Sequence, residues 1–84
     1  YVGKGLKYFS RLGVGEFLIE AGSVAEGDRL LVVGPTTGAL YITATEIHDD
    51  NGPVKVAEKG SRVAIPVPEK VRSSDKLYKL IDNK

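Results

Sequence analysis

The punctuation of this 84-residue chain constrains its fold more than any other feature. Ten Gly and four Pro cut it into short apolar runs, and 10 Val, 5 Ile and 4 Thr enrich those runs in β-branched residues. Such residues suit a pleated, half-buried surface. No window longer than about ten residues holds a 3.6-residue apolar period. The segment from Lys70 to Leu80 comes nearest, and Ser73-Ser74-Asp75 breaks it. The pattern predicts strands over Tyr1–Ser10, Val14–Glu20, Arg29–Val33, Ala39–His48, Val54–Val56, Ser61–Val67 and Lys76–Leu80, with Ala39–His48 the longest. In the second, Phe17 and Ile19 point one way and Glu16, Leu18 and Glu20 the other. In the first, Val2, Leu6, Tyr8 and Ser10 share a face. The intervening Gly-, Pro-, Asp- and Asn-rich stretches read as turns.

Six or seven short strands with turns every 8–12 residues and no helix longer than one turn predict an all-β domain, a small closed β-barrel. Closure removes exposed strand edges, which a chain this small can ill tolerate. The whole of 1–84 reads as one domain. It begins without Met, and the expectation is a trimmed chain or a C-terminal fragment of a longer protein. Met, Cys and Gln are absent and Asn occurs twice; this bias points to a thermophilic source. No apolar run approaches the roughly 20 residues of a membrane helix, so no membrane partner is expected and the location read for the chain is cytoplasmic.

Composition removes several chemistries. Without Cys there is no disulfide, no thiolate zinc site and no Cys nucleophile. A single histidine, His48, rules out a site needing two imidazoles. His48 stands beside Asp49 and Asp50, the arrangement of a carboxylate-oriented general base, but strand neighbours face opposite ways, and a solvent-facing or strand-capping role is the simpler reading. Asp49-Asp50-Asn51-Gly52, with Glu58 six residues after the glycine, resembles a calcium loop only until Pro53 and the following strand interrupt it. No serine lies in a nucleophile-elbow pattern. No catalytic residue, metal site or cofactor is therefore assigned. Glu26 and Asp28 flank a turn glycine and are expected to be solvated.

Charge is uneven although the net value is only +1. Residues 1–11 carry +3, residues 12–69 carry −5 and residues 70–84 carry +3. Terminal segments lying side by side would make one positive face. The basic residues are interleaved with aromatics, as in Lys7-Tyr8-Phe9 and Lys76-Leu77-Tyr78-Lys79. That combination can hold single-stranded nucleic acid through phosphates and stacking. Lys4, Lys7, Arg11, Arg72, Lys76 and Lys79 are the candidate anion or RNA contacts, with Tyr8 or Tyr78 as a stacking platform. The plainer reading is that lysines solvate edge strands and the aromatics fill the core. Gly34-Pro35-Thr36-Thr37-Gly38 lacks the Lys and the following helix of a phosphate loop. It is a hairpin connection and the candidate interaction loop.

Three stretches carry a family resemblance: Ala25-Glu26-Gly27-Asp28 with the following apolar strand, Thr45-Glu46-Ile47, and Pro53 to Ile65. Together they resemble the second domain of translation elongation factor Tu, a small β-barrel. Gly34-Pro35-Thr36-Thr37-Gly38, Pro53-Val54 and Val71-Arg72-Ser73-Ser74-Asp75-Lys76-Leu77-Tyr78-Lys79 are more specifically similar to the C-terminal domain of peptidase family U-thirty-two (U32), the collagenase-like peptidases. Small stand-alone archaeal elongation-factor-like proteins are the runner-up. They share the opening around Tyr8-Phe9-Ser10-Arg11-Leu12-Gly13-Val14 and lack the Gly34–Gly38 turn. The U32 resemblance implies a non-catalytic accessory barrel of a parent peptidase, a hydrolase. It would position a protein substrate, or dock on the parent's catalytic domain or a sister subunit. The translation-factor resemblance implies RNA contact instead. A self-contained hydrolase is a third reading that would have to depend on His48.

Overall fold

A computed structural model describes residues 1–81. Asp82 and Lys84, counted above in the basic C-terminal segment, lie outside them. The described residues form strands, turns and bends with no helix, as the punctuation predicts. The strands are β1 (Gly3–Phe9), β2 (Val14–Ile19), β3 (Ser23–Ala25), β4 (Arg29–Gly34), β5 (Gly38–Thr43), β6 (Ile47–Asp49), β7 (Gly52–Val54), β8 (Val56–Glu58), β9 (Arg62–Pro66) and β10 (Lys76–Lys79). Eight form one sheet in the order β5-β4-β10-β1-β2-β9-β6-β7, and β3 pairs with β8 in a second. All the ladders are antiparallel.

The strand count is ten, above the six or seven expected, because two predicted runs divide and β3 forms where no strand was expected. Ala39–His48 is not the longest strand; it breaks into β5 and β6. Ala44 turns the chain there, donating its N–H to the Asp28 carbonyl at 2.9 Å, and the Thr45 N–H turns back to the Thr43 carbonyl at 2.8 Å. The short run after Asn51 likewise divides into β7 and β8.

The large sheet curls. β5 ends the strand order at one side and β6 lies next to last at the other, yet only Ala44, Thr45 and Glu46 join them. That link spans at most about 14 Å. Laid flat, the six steps between these strands would separate them by about 29 Å. Curling places one face inside. Phe17, Ile19, Leu30, Val32, Leu40, Ile42, Ile47, Val63, Ile65 and Leu77 alternate with outward residues and pack in one buried cluster. Val24 of β3 and Ala57 of β8 join it. Phe17, Ile19, Val63 and Ile65 are inward and Arg62 outward, as period-two reading predicts.

β1 departs from its expected face. Gly3 and Gly5 are buried, whereas Leu6 and Tyr8 are only half-buried. The register against β2 shifts between Gly5 and Lys7, leaving Leu6 as the extra residue of a bulge. A Cβ on Gly5 would lie 2.8 Å from the Arg72 carbonyl oxygen, so glycine here lets the 71–75 segment approach. No helix among the described residues is long and apolar enough to cross a membrane.

Candidate functional site

The Gly34–Gly38 connection joins β4 to β5 and is tied down from one side. Asp75, only 2% exposed, is the one buried charged residue described. Its Oδ2 accepts hydrogen bonds from the Thr37 hydroxyl and, at 2.9 Å, from the Arg72 N–H. Its backbone carbonyl accepts from Gly5 N–H at 2.7 Å. Two of the three segments that carry the U32 resemblance thus meet at one carboxylate. Ser74 holds a left-handed backbone, φ 70°, and donates its N–H to the Gly5 carbonyl at 2.9 Å. This bend is what directs Asp75 inward. Thr37 is accordingly a structural anchor, while Pro35, Thr36 and Gly38 remain exposed.

Beside this loop lies a cleft of ≈ 200 Å³ lined by Thr36, Thr37, Ala39, Leu40, Glu69, Lys70 and Arg72. A more apolar one, ≈ 440 Å³, is lined by Val33, Gly34, Pro35, Ser74, Lys76 and Tyr78.

The six basic candidates do not form one cluster. The terminal strands do lie side by side, and Lys4 stands directly opposite Lys76. Cross-strand partners share a face with Cβ atoms about 5 Å apart, so the like charges repel. Lys79 is engaged elsewhere: its Nζ lies 3.2 Å from Asp28 Oδ2 and 3.3 Å from the Ser23 carbonyl. Asp28 also accepts from Ala25 N–H at 2.8 Å, so it closes the β3–β4 turn and is not the freely solvated acid expected. Lys7 stands opposite Glu16 and places Nζ 5.2 Å from the Phe9 ring centre. Arg11 sits at the β1–β2 turn, and Arg72 borders the smaller cleft. Of the aromatic platforms, Tyr78 is packed edge-on against Tyr1, ring centres 5.9 Å apart.

His48 is 44% exposed, and its Nε2 lies 2.7 Å from Glu46 Oε1. Its partner is the residue two positions back, not Asp49 or Asp50. Among the described residues no group of three or more His, Asp or Glu could hold a metal ion.

One surface escaped the sequence reading. Leu12, at the β1–β2 turn, is 74% exposed. It lines two mainly apolar clefts, one of ≈ 480 Å³ with Tyr8 and Phe9 and one of ≈ 440 Å³ with Val14, Ala64 and Pro66. The turn sequence Arg11-Leu12-Gly13 held the only clue, an apolar side chain at an exposed tip.

No family model matches the chain. A collagenase of Porphyromonas gingivalis is 56% identical over 79 residues, covering 94% of this chain and 22% of that protein. The crystal structure of the C-terminal domain of a Geobacillus thermoleovorans protein assigned to the U32 peptidases superposes with a TM-score of 0.88, covering 96% of this chain and 92% of that domain. The chain has the fold of that U32 peptidase C-terminal domain and is related in sequence to the collagenase. At 18% identity the Geobacillus structure speaks for the fold alone; the collagenase supplies the sequence relationship. An uncharacterised protease of Methanocaldococcus jannaschii is 27% identical over 79 residues, 94% of this chain and 19% of that protein. The chain therefore spans about a fifth of the length of these curated relatives.

Proposed function

We propose that the chain is a non-catalytic accessory domain of a collagenase-like peptidase, a curled barrel open at β5 that docks on the rest of its parent protein and helps to position a protein substrate. The observation that carries the reading is Leu12, exposed between two apolar clefts. Contiguous exposed apolar patches mark interaction sites, and relatives about four to five times as long as this chain supply an occupant for this one. The Pro35–Thr36 tip, held out by the Thr37–Asp75 anchor, is a second contact. The barrel shape is supported by the three-residue link between β5 and β6, which curls the sheet but leaves the outer edge of β5 without a partner strand. The reading leaves peptide-bond cleavage to the absent portion and keeps the whole in the cytoplasm. It is tested by comparing peptide turnover by a full-length U32 relative with and without this domain. A fall in turnover that is restored by adding the separate domain supports the reading; unchanged turnover and unchanged substrate affinity contradict it.

One observation favours a second reading, an RNA-contacting barrel: Lys4 and Lys76 face each other with no acid opposite either. An RNA phosphate would relieve their repulsion. This reading requires binding to transfer RNA that weakens steeply as salt rises, and it fails if no salt-dependent binding is seen.

A further inference from the structure

The two ends of the large sheet are protected unequally. β7 is three residues long and contains Pro53, which lacks an N–H. Short length and proline are the usual guards of a sheet edge. β5, at the other end, has six residues, Gly-Ala-Leu-Tyr-Ile-Thr, with no charge and no proline.

The hydrogen-bond parity of β5 can be read from both sides of β4. Ala44 N–H bonds to the Asp28 carbonyl, in register with the Thr43–Arg29 pair. Antiparallel pairs alternate between bonded and unbonded, so Gly38, Leu40 and Ile42 bond to β4, and Ala39, Tyr41 and Thr43 turn their backbone groups away. The far side of β4 agrees: Leu80 N–H bonds to the Arg29 carbonyl, which directs the odd-numbered residues of β4 to β10 and the even ones to β5. The Thr43 carbonyl bends back to Thr45 N–H, again pointing away from β4. The N–H groups of Ala39, Tyr41 and Thr43 and the carbonyls of Ala39 and Tyr41 have no protein partner among the described residues. The side chains of these three residues are exposed, Tyr41 at 64%.

We infer that β5 is a strand-addition site: it takes an extended segment of a partner protein as a further strand. Alternating amides and carbonyls recognise extended backbone whatever its sequence. The neighbouring cleft says what one end of that segment carries. Ala39 and Leu40 border it together with Lys70, Arg72 and Glu69, so its charged lining is positive by one. The occupant is uncharged where it faces Ala39, Tyr41 and Thr43 and bears a carboxylate at the Arg72 end. That carboxylate is an acidic side chain or a C-terminus. The inference rests on the binding-domain reading above and names the chemistry of what is positioned.

The test is an amide-resolved NMR titration of this chain with heptapeptides of alternating valine and threonine. One is amidated and ends in aspartate, one ends in a free carboxylate without aspartate, and one is amidated with neither. The expected result is that Ala39, Tyr41 and Thr43 amides shift and gain exchange protection while Leu40 and Ile42 amides, already bonded to β4, keep theirs. Of the two carboxylate peptides, the tighter binder identifies the source, and the uncharged peptide binds worst. Tyr41→Pro removes an outward N–H without touching the β4 ladder and should weaken binding on the order of tenfold. Should that variant misfold, Ala39→Lys supplies an edge guard with the same expected loss. Binding unaffected by either folded variant overturns the inference, as do shifts confined to other strands. A concentration-dependent dimer through β5 that the peptides do not displace also overturns it. Loss of docking on the parent with peptide binding intact would count against the accessory reading alone.

Discussion

A Cβ on Gly34 would lie 1.9 Å from Asp75 Oδ1 and 2.6 Å from its carboxyl carbon. The carboxylate occupies the space a side chain at 34 would need. The chain can bury an acid here only because β4 ends in glycine, and the acid in turn anchors Thr37. Gly34→Ala should therefore destabilise the fold by about 1–3 kcal/mol, the range for overpacking a tight site, read by denaturant unfolding. In the Asp75→Ala background the same substitution should cost much less. Equal costs in both backgrounds would show that the contact is not what the glycine serves.

Asp75 should tolerate little change. Asp75→Ala leaves the Arg72 N–H and the Thr37 hydroxyl without their acceptor. Stranding buried polar groups costs about 1–3 kcal/mol. Thr37→Val removes one donor only and should cost less. Hydrogen exchange at the Arg72 amide provides a local check: faster in Asp75→Ala and nearly unchanged in Thr37→Val. An Arg72 amide equally protected in all three proteins would contradict the assignment of its acceptor.

How much of this was legible beforehand differs by element. Phe17, Ile19, Val63 and Ile65 announce their inward faces by strict alternation, because β2 and β9 are half-buried strands of full length. The break at Ala44–Glu46 was hidden, since it contains neither Gly nor Pro and is made by backbone bonds to Asp28. β3 was missed for another reason: Ser23–Ala25 is stabilised by β8, more than thirty residues away in sequence. The Asp75 anchor was illegible because Ser73-Ser74-Asp75 has the composition of an exposed turn, and only the left-handed Ser74 directs the carboxylate inward. The pairing of the basic ends was foreseeable from charge order, but not that Asp28 would hold Lys79.

Reversing one charge of the Lys4–Lys76 pair should stabilise the chain. Lys76→Glu turns a repulsive cross-strand pair into an attractive one, a gain of about 0.2–1 kcal/mol. The gain should shrink with added salt, as it does for exposed charges. Thermal unfolding at low and high ionic strength checks it. A stability loss insensitive to salt would mean that the two side chains do not meet.

Tyr1 supplies an alkaline signature. Its hydroxyl donates to the Glu20 carboxylate, and that bond, with burial and the nearby charge, raises its pKa above the ordinary 10.0. The neutral phenol is favoured in the folded chain. Its contribution is full below the unfolded pKa and is lost as pH rises through the folded one. Ultraviolet titration should show one tyrosine ionising late, and Tyr1→Phe should remove that step. A titration with no late step would contradict the bond.

The proposed docking of this domain on the remainder of a longer peptidase runs through the surface around Leu12. Calorimetric titration of the separate domain into the rest of a U32 relative measures this most directly. Saturable binding is expected, and Leu12→Asp should abolish it while leaving thermal unfolding of the domain within about 0.5 kcal/mol of the unsubstituted chain, as for an exposed site. Saturable binding that Leu12→Asp leaves unchanged, or no binding at any accessible concentration, would contradict it.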